Sequence, residues 1–150
     1  MNSKGITLLE LLITVSIVGL LAAIAIPGYI GQQRRAARTE AYTNLENIRL
    51  LEEQFYAENG RYTVNLGTCA KDNPGNVAQI QQGGAAPDPN NDLPGFRPGN
   101  STMFSYCIEQ DMNMNGVGVS NCYRVRAFGN TGTRVDLDVF SVDCNNNRNY

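Results

Sequence analysis

The chain contains no histidine and no tryptophan among its 150 residues. Because histidine is the commonest general base and the commonest metal ligand, its absence argues against many hydrolytic and metal-dependent active sites. The chain also lacks an excess of charge, since 12 basic and 14 acidic residues give a formal net charge of −2. This balance implies no global attraction to nucleic acid or anionic lipid. We therefore predict that the protein is not an enzyme, and we make no prediction about a nucleic-acid partner.

Closely spaced cysteine pairs are also absent, although the chain has four cysteines. The spacing of Cys69, Cys107, Cys122 and Cys144 does not fit the CxxC pairs of a zinc site. We therefore expect two disulfides, an oxidising compartment and no cofactor. The sequence permits three pairings. We prefer Cys107–Cys122 with Cys69–Cys144, because the first pair would flank a hairpin loop. The second choice is Cys69–Cys107 with Cys122–Cys144.

One long apolar run, residues 6–26, stands near the start of the chain, and its polar residues are Thr7, Glu10, Thr14 and Ser16. A helix of this length reaches about 30 Å, the thickness of the hydrocarbon core of a bilayer. The run is longer than that of a cleaved secretory signal, and no small-residue cleavage site follows it. A plain anchor would not explain Glu10, because a charged acid near hydrocarbon costs about 2.5 to 3.5 kcal/mol. The segment therefore predicts a membrane helix whose acid has a function.

The stretch KGITLLELLITVSIVGLLAAIAIPGY, residues 4–29, resembles the signal and first helix of type IV pilins and pseudopilins. A basic residue and a glycine precede an apolar residue, threonine follows, glutamate occupies the fifth position after the glycine, and the apolar run ends in proline. The resemblance extends to about residue 60. It implies that a prepilin peptidase cleaves between Gly5 and Ile6 and methylates the new amino terminus. Ile6 departs from the more usual phenylalanine of the family.

The resemblance also implies a role for Glu10. Cleavage would create an amine at Ile6, one helical turn before Glu10. In a filament of the family, this glutamate pairs with the amine of a neighbouring subunit, and Thr7 belongs to the same assembly segment. Because an unpaired acid in an apolar bundle is penalised, a partner in the correct axial register is favoured. Gly19 and Pro27 predict a kink in the helix, and the family suggests partial melting there on assembly.

The resemblance implies the leader, and the pattern along the chain indicates four further regions. Apolar residues recur every three or four positions beyond the membrane segment, which predicts an amphipathic helix. A stretch rich in proline, glycine and asparagine then predicts a variable surface loop. The regions are a leader (1–5), a membrane and assembly half of the helix (6–27), an amphipathic half (28–58), a loop between helix and sheet (59–102) and a disulfide-closed sheet (103–150).

The C-terminal region predicts an antiparallel sheet of four strands or fewer, with strands in residues 103–110, 122–129 and 134–143. The predicted fold class is α+β, with a long N-terminal helix packed on a small antiparallel sheet, as in the type IV pilin fold. For the last hairpin we predict a register that includes the pairs Ala127–Val135, Val125–Leu137, Tyr123–Val139, Arg126–Asp136 and Arg124–Asp138. A two-residue slip would oppose two arginines. The arginines would thus be neutralised within the sheet and need not bind DNA.

One local motif suggests a metal. The sequence DMNMNG, residues 111–116, matches the opening of a calcium loop, with oxygens from Asp111, Asn113 and Asn115. The twelfth position, which should be glutamate, is Cys122. No flanking helices are predicted either, so an asparagine-rich hairpin loop is favoured over calcium.

These features together predict a structural subunit that polymerises through its N-terminal helix into a type IV pilus for adhesion, motility or DNA uptake, as a major or a minor pilin. One alternative is a pseudopilin of a type II secretion system, and another is a monomeric, membrane-anchored periplasmic binding module. The expected partners are other copies of the chain, the prepilin peptidase, the inner-membrane assembly platform and, before assembly, the membrane. The expected location is a single-pass inner-membrane protein with a periplasmic head, and then an extracellular pilus or a periplasmic pseudopilus.

Overall fold

The computed structural model describes residues 5–84, 91–99 and 102–150. Most of the expected leader, residues 1–4, and residues 85–90 and 100–101 of the predicted loop lie outside the described residues. The elements are α1 (Leu8–Asn59), α2 (Asn76–Gln82), β1 (Phe104–Met112), β2 (Gly118–Gly129) and β3 (Val139–Asp143). The strands form one antiparallel sheet in the order β1-β2-β3. The long N-terminal helix and the small antiparallel sheet confirm the predicted α+β class.

The chain divides into two compact units, Met1–Ala36 and Ala37–Tyr150. In the first unit, the large apolar side chains of α1 are exposed around the whole helix. By length and composition, α1 contains a stretch that is able to cross a membrane. An apolar surface of this extent requires cover from lipid or from other apolar helices.

The second unit has a hydrophobic core between α1 and the sheet. One face of α1 contributes Ala37, Ala41, Leu45, Ile48 and Phe55, all of them buried. The sheet contributes the alternating residues Tyr123, Val125 and Ala127 of β2, together with Tyr106 and Ile108 of β1. The buried face of α1 follows the helical repeat predicted for residues 28–58, and the buried residues of β2 alternate as in a strand with one covered face. The helix ends one residue after the expected position, where Gly60 has a positive φ of 70°.

The predicted register of the last hairpin is wrong. Val125 pairs with Val142 and Ala127 with Phe140, so β3 begins at Val139 rather than at residue 134. Residues 134–138 form turns instead of a strand, and the Asp138 amide donates to the carbonyl of Val135 at 2.8 Å. The physical reason is that residues 134–138 form contacts with parts of the chain that are distant in sequence.

The predicted surface loop, residues 59–102, is only partly a loop. It contains α2, and Leu66 forms an antiparallel bridge with Ile108 at the outer edge of β1. Four of its apolar side chains are buried in the core, namely Leu66, Ile80, Leu93 and Phe96. This region therefore contributes side chains to the hydrophobic core and does not merely cover its surface.

The disulfides join Cys69 to Cys107 and Cys122 to Cys144. The preferred pairing of the sequence analysis is wrong, and the second choice is the one found. The reason is the register of β1 and β2, which sets Arg126, not Cys122, opposite Cys107. The bridge at Leu66 brings the nearby Cys69 beside β1 instead.

The C-terminal residues 144–150 cover the free edge of β3. The side-chain oxygen of Asn149 accepts a hydrogen bond from the Ser141 amide at 2.7 Å. Its side-chain nitrogen donates to the carbonyl of Val139 at 3.2 Å, and its backbone amide donates to the carbonyl of Ser141 at 3.4 Å. The tail thus satisfies backbone groups that a neighbouring strand would otherwise satisfy.

Candidate assembly site

Gly5, Ile6 and Thr7 lie exposed just before the first residue of α1. The hydroxyl of Thr7 accepts a hydrogen bond from the backbone N–H of Glu10 at 3.2 Å. This contact makes Thr7 the N-cap of the helix, and Glu10 stands at the third helical position, as in a capping box. Thr7 was expected in the assembly segment, whereas its capping role was not predicted, although the T-x-x-E pattern indicates it.

The carboxylate of Glu10 is exposed in the first turn of α1, where the positive end of the helix dipole favours an acid. Within the residues that the structure describes, Glu10 forms no ion pair. Its surroundings on the helix are large apolar side chains, including Leu9 and Ile13. A carboxylate on such a surface needs a cation from another molecule once lipid or other helices cover it.

The hydroxyls of the apolar run are satisfied within the helix. Thr14 donates to the carbonyl of Leu11 and Ser16 to that of Leu12, both at 2.8 Å. Such back-bonding makes a hydroxyl compatible with an apolar environment. Among the residues 5–26 that the structure describes, Glu10 is therefore the one whose polar side chain has no partner within these residues.

The helix continues through Gly19 and Pro27. Pro27 has no N–H group, so the carbonyl of Ala23 lacks its usual helical donor. A Cβ added at Gly19 would meet nothing within 4 Å. The kink and the melting expected at these positions stay predictions.

Comparisons with known proteins agree with this geometry. The family described as "Prokaryotic N-terminal methylation motif" matches residues 1–26. The chain is 46% identical over 62 residues to the type IV major pilin protein PilA of Myxococcus xanthus, covering 41% of this chain and 28% of that protein. It is 35% identical over 80 residues to the type IV wide pilus major component PilA4 of Thermus thermophilus, covering 51% of this chain and 61% of that protein. The chain is therefore similar to type IV pilins and matches the N-terminal methylation motif at residues 1–26.

A third pilin, the type IV major pilin protein PilE1 of Neisseria gonorrhoeae, is 31% identical over 114 residues, or 76% of this chain. The chain spans 28%, 61% and 46% of the lengths of the three relatives. No solved structure matches the chain.

Two contacts outside the motif fix the amphipathic part of α1 in the second unit. Arg38 donates two hydrogen bonds to Asp138, at 2.8 and 2.7 Å. Hydrogen bonding to Asp138 raises the pKa of Arg38 above its ordinary value. Further along, α1 carries the fully buried Glu52, which accepts hydrogen bonds from the amide of Thr63 at 3.1 Å and from the Thr63 hydroxyl. Burial raises the pKa of Glu52 to about 7.

Neither contact was predicted from the sequence. Arg38 and Asp138 are separated by 100 residues, so no local pattern joins them. The position of Glu52 in the sequence weakly indicates that it is buried, because it follows the buried Ile48 by four residues and thus falls on the apolar face of α1.

The residues of the candidate calcium loop lie in and beside the turn between β1 and β2. The carboxylate of Asp111 accepts a hydrogen bond from the Asn121 amide at 2.8 Å. The side-chain oxygen of Asn113 accepts from the amides of Asn115 and Val117, both at 3.0 Å. In the described part of the chain, no group of three or more His, Cys, Asp or Glu side chains is arranged to hold a metal. The hydrogen bonds favour the asparagine-rich turn.

The arginines of β2 have acidic neighbours, but not the predicted ones. Arg124 pairs with Glu109 at 2.7 Å, and Arg126 lies over the ring of Phe128 at 4.4 Å from its centre. The predicted partners Asp136 and Asp138 instead pair with Lys71 and with Arg38.

Proposed function

We propose that the chain is a structural subunit that polymerises through the N-terminal part of α1 into a type IV pilus. The observation that carries the proposal is the exposed apolar run whose one carboxylate, Glu10, has no internal partner in the described residues. The methylation motif at residues 1–26 and relatives named as pilus components support it. The proposal assigns no catalysis and no cofactor to the chain.

Processing supplies the missing cation. Gly5 and Ile6 lie outside the helix and are exposed, so the peptide bond between them is accessible to a peptidase. Cleavage there removes residues 1–5 and leaves an amine, methylated by the same prepilin peptidase, at Ile6. This amine of one copy pairs with the Glu10 carboxylate of a neighbouring copy, and the apolar helices around them exclude water. The pairing favours one axial register, because other registers leave both charges unpaired in an apolar bundle.

The subunit begins, in this proposal, as a single-pass inner-membrane protein with its second unit on the periplasmic side. The two disulfides support a periplasmic location of the second unit, because disulfides persist in an oxidising compartment. The inner-membrane assembly platform then moves the subunit into the filament. Packing against other copies covers the apolar surface that lipid covered before.

The decisive measurement is the mass of the amino-terminal peptide of the chain recovered from purified surface filaments. We expect a peptide that begins with N-methyl-Ile6 and a chain that is a component of the filaments. A chain that keeps Met1 and remains a membrane-bound monomer would contradict the proposal and support a binding module. A methylated chain confined to the periplasm, whose deletion stops protein secretion, would make it a pseudopilin. The fraction of filament mass that the chain provides separates a major from a minor pilin.

A further inference from the structure

Residues 61–66, named the strap here, connect the end of α1 to the outer edge of β1. Glycines with positive φ stand at both ends of the strap, Gly60 at 70° and Gly67 at 79°. Glycine reaches such backbone conformations without strain, and small residues at the ends of a segment are common hinges. The strap is therefore a short segment that is able to move between two fixed points.

On its α1 side, the strap is held by Glu52. The Thr63 amide donates to one carboxyl oxygen of Glu52 at 3.1 Å, and the Thr63 hydroxyl contacts the other oxygen. Both side chains are fully buried. The ring of Tyr62 adds a contact with the ring of Tyr56, at 4.7 Å between their centres. The carboxyl of Glu52 thus provides the buried polar contact between α1 and the strap.

On its sheet side, the strap covers backbone groups of β1. The Leu66 amide donates to the carbonyl of Ile108 at 3.0 Å, and the Ile108 amide donates to the carbonyl of Leu66 at 2.8 Å. The side-chain oxygen of Asn65 accepts a hydrogen bond from the Gln110 amide at 2.7 Å. A strand edge without such cover is open to pairing with another chain. The strap therefore closes the edge of β1 at residues 108–110.

The surroundings of Glu52 favour its uncharged form. The guanidinium group of Arg61 donates to the carbonyl of Tyr62 at 3.3 Å, and no ion pair includes Glu52 in the described chain. Glu53, the next residue of α1, adds a negative charge. The hydroxyls of Tyr62 and Tyr123 donate to Glu53, and both tyrosines stay neutral because burial raises their pKa values. Burial without a cation agrees with the pKa of about 7 for Glu52.

We propose that Glu52 is a proton-dependent latch for the strap. The protonated carboxyl holds Thr63 against α1, and loss of its proton releases residues 61–66 and exposes the edge of β1 at residues 108–110. In the released strap the carboxyl lies in water and has its ordinary pKa of 4.5. The closed strap therefore has its full advantage below pH 4.5 and loses it as the pH rises through 7. The latch lies within one subunit, so it does not depend on filament assembly.

Hydrogen exchange of the full chain in detergent, measured from pH 5 to 8, tests the latch. The reporter amides are those whose hydrogen bonds join the strap to α1 and β1, namely Thr63, Leu66, Ile108 and Gln110. After correction for intrinsic exchange, their protection factors should fall by about tenfold per pH unit between pH 5 and 7 and then level off. Constant protection factors over this range would overturn the latch.

Urea at low concentration separates opening of the strap from unfolding of the second unit. Because local opening exposes little surface, the reporter amides should be less protected than the Val125 amide of the central strand β2, and urea should hardly change their protection. The protection of Val125 should fall with urea. Equal protection and equal urea dependence at every pH would mean that the strap opens only by unfolding of the whole unit, and the latch would be wrong.

Glu52→Gln keeps the shape of the protonated carboxyl and has no proton to lose in this range. Its reporter amides should show the same protection factors from pH 5 to 8. Glu58→Gln is the matched control, because it changes an exposed carboxylate at the end of the same helix, and it should keep the wild-type slope. A wild-type slope in Glu52→Gln would assign the pH dependence to another group and overturn the proposal. If Glu52→Gln does not fold, the wild-type pH and urea profiles still decide.

Discussion

At the scale of single residues, Glu10 is the side chain on which assembly should depend. We expect Glu10→Ala to leave membrane insertion intact, since the change makes the apolar run more apolar. Incorporation into filaments should fall by about a hundredfold or more, because the amine of the neighbouring copy loses its partner, a loss of about 3 to 5 kcal/mol when such a pair is buried. The measurement compares the amounts of the chain in the membrane and filament fractions.

Thr14→Ala is the matched control for Glu10→Ala. It removes a polar group from the same helix, but the Thr14 hydroxyl contacts only the carbonyl of Leu11 in the described structure. This variant should assemble like the wild type. Equal incorporation of the Glu10 and Thr14 variants would refute the pairing role of Glu10.

Glu52 makes the stability of the second unit depend on pH. The pKa of Glu52 is about 7 in the folded chain, compared with an ordinary value of 4.5. Between pH 4.5 and pH 7 the folded state therefore holds a proton that the unfolded state has released. The stability that this group contributes is full below pH 4.5 and is lost as the pH rises through 7, by about 3 kcal/mol in total. Glu52→Gln keeps the shape of the protonated side chain and should flatten this dependence.

Urea unfolding of the full chain in detergent, measured from pH 4.5 to 7.5, tests the role of Glu52. The difference in unfolding free energy between Glu52→Gln and the wild type should grow with pH in favour of glutamine. Glu58→Gln is the control, because Glu58 is exposed at the end of the same helix. Parallel curves for the wild type and Glu52→Gln would show that burial of Glu52 has no thermodynamic effect.

At the scale of elements, Gly129 sets how closely the turn of residues 130–138 approaches the end of β2. A Cβ at this position would lie 1.7 Å from the carbonyl oxygen of Val135, a backbone atom that cannot rotate away. We expect Gly129→Ala to destabilise the second unit by about 3 kcal/mol through this overlap. Gly75→Ala should be nearly neutral, because a Cβ there meets nothing within 4 Å. Similar urea midpoints for the two variants would contradict this.

The elements also show what the sequence can predict. The extent of α1 and the strand at residues 122–129 follow from local periodicity, so their prediction succeeded. The start of β3 did not follow, because the turn before it is held by Arg38 and Lys71, which are distant in sequence. At the assembly segment, the motif identified Glu10 and Thr7 from neighbouring residues alone. Glu52 was missed because its burial and its contact with Thr63 arise only when the chain folds back on α1.

At the scale of the whole molecule, the two disulfides should have different effects on the sheet. Replacing either pair by serine should lower the unfolding free energy by about 3 to 4 kcal/mol, as expected for the loops that they close. Only Cys122→Ser with Cys144→Ser should loosen the tail that covers β3. Hydrogen exchange of the Ser141 amide should therefore accelerate in this variant more than in Cys69→Ser with Cys107→Ser. Equal acceleration in both variants would mean that the tail holds its place without its cross-link.

The covered edge of β3 has a consequence for a fibre of many copies. In such an assembly the sheets of adjoining subunits are crowded at a local concentration that no dilute solution reaches. An uncovered strand edge would then allow strands of different copies to pair into cross-β structure. Such pairing competes with ordered growth of the fibre and is hard to reverse. By covering that strand edge with its own side-chain amide, Asn149 would keep each subunit of the proposed pilus exchangeable, so that a fibre able to lengthen could also be taken apart.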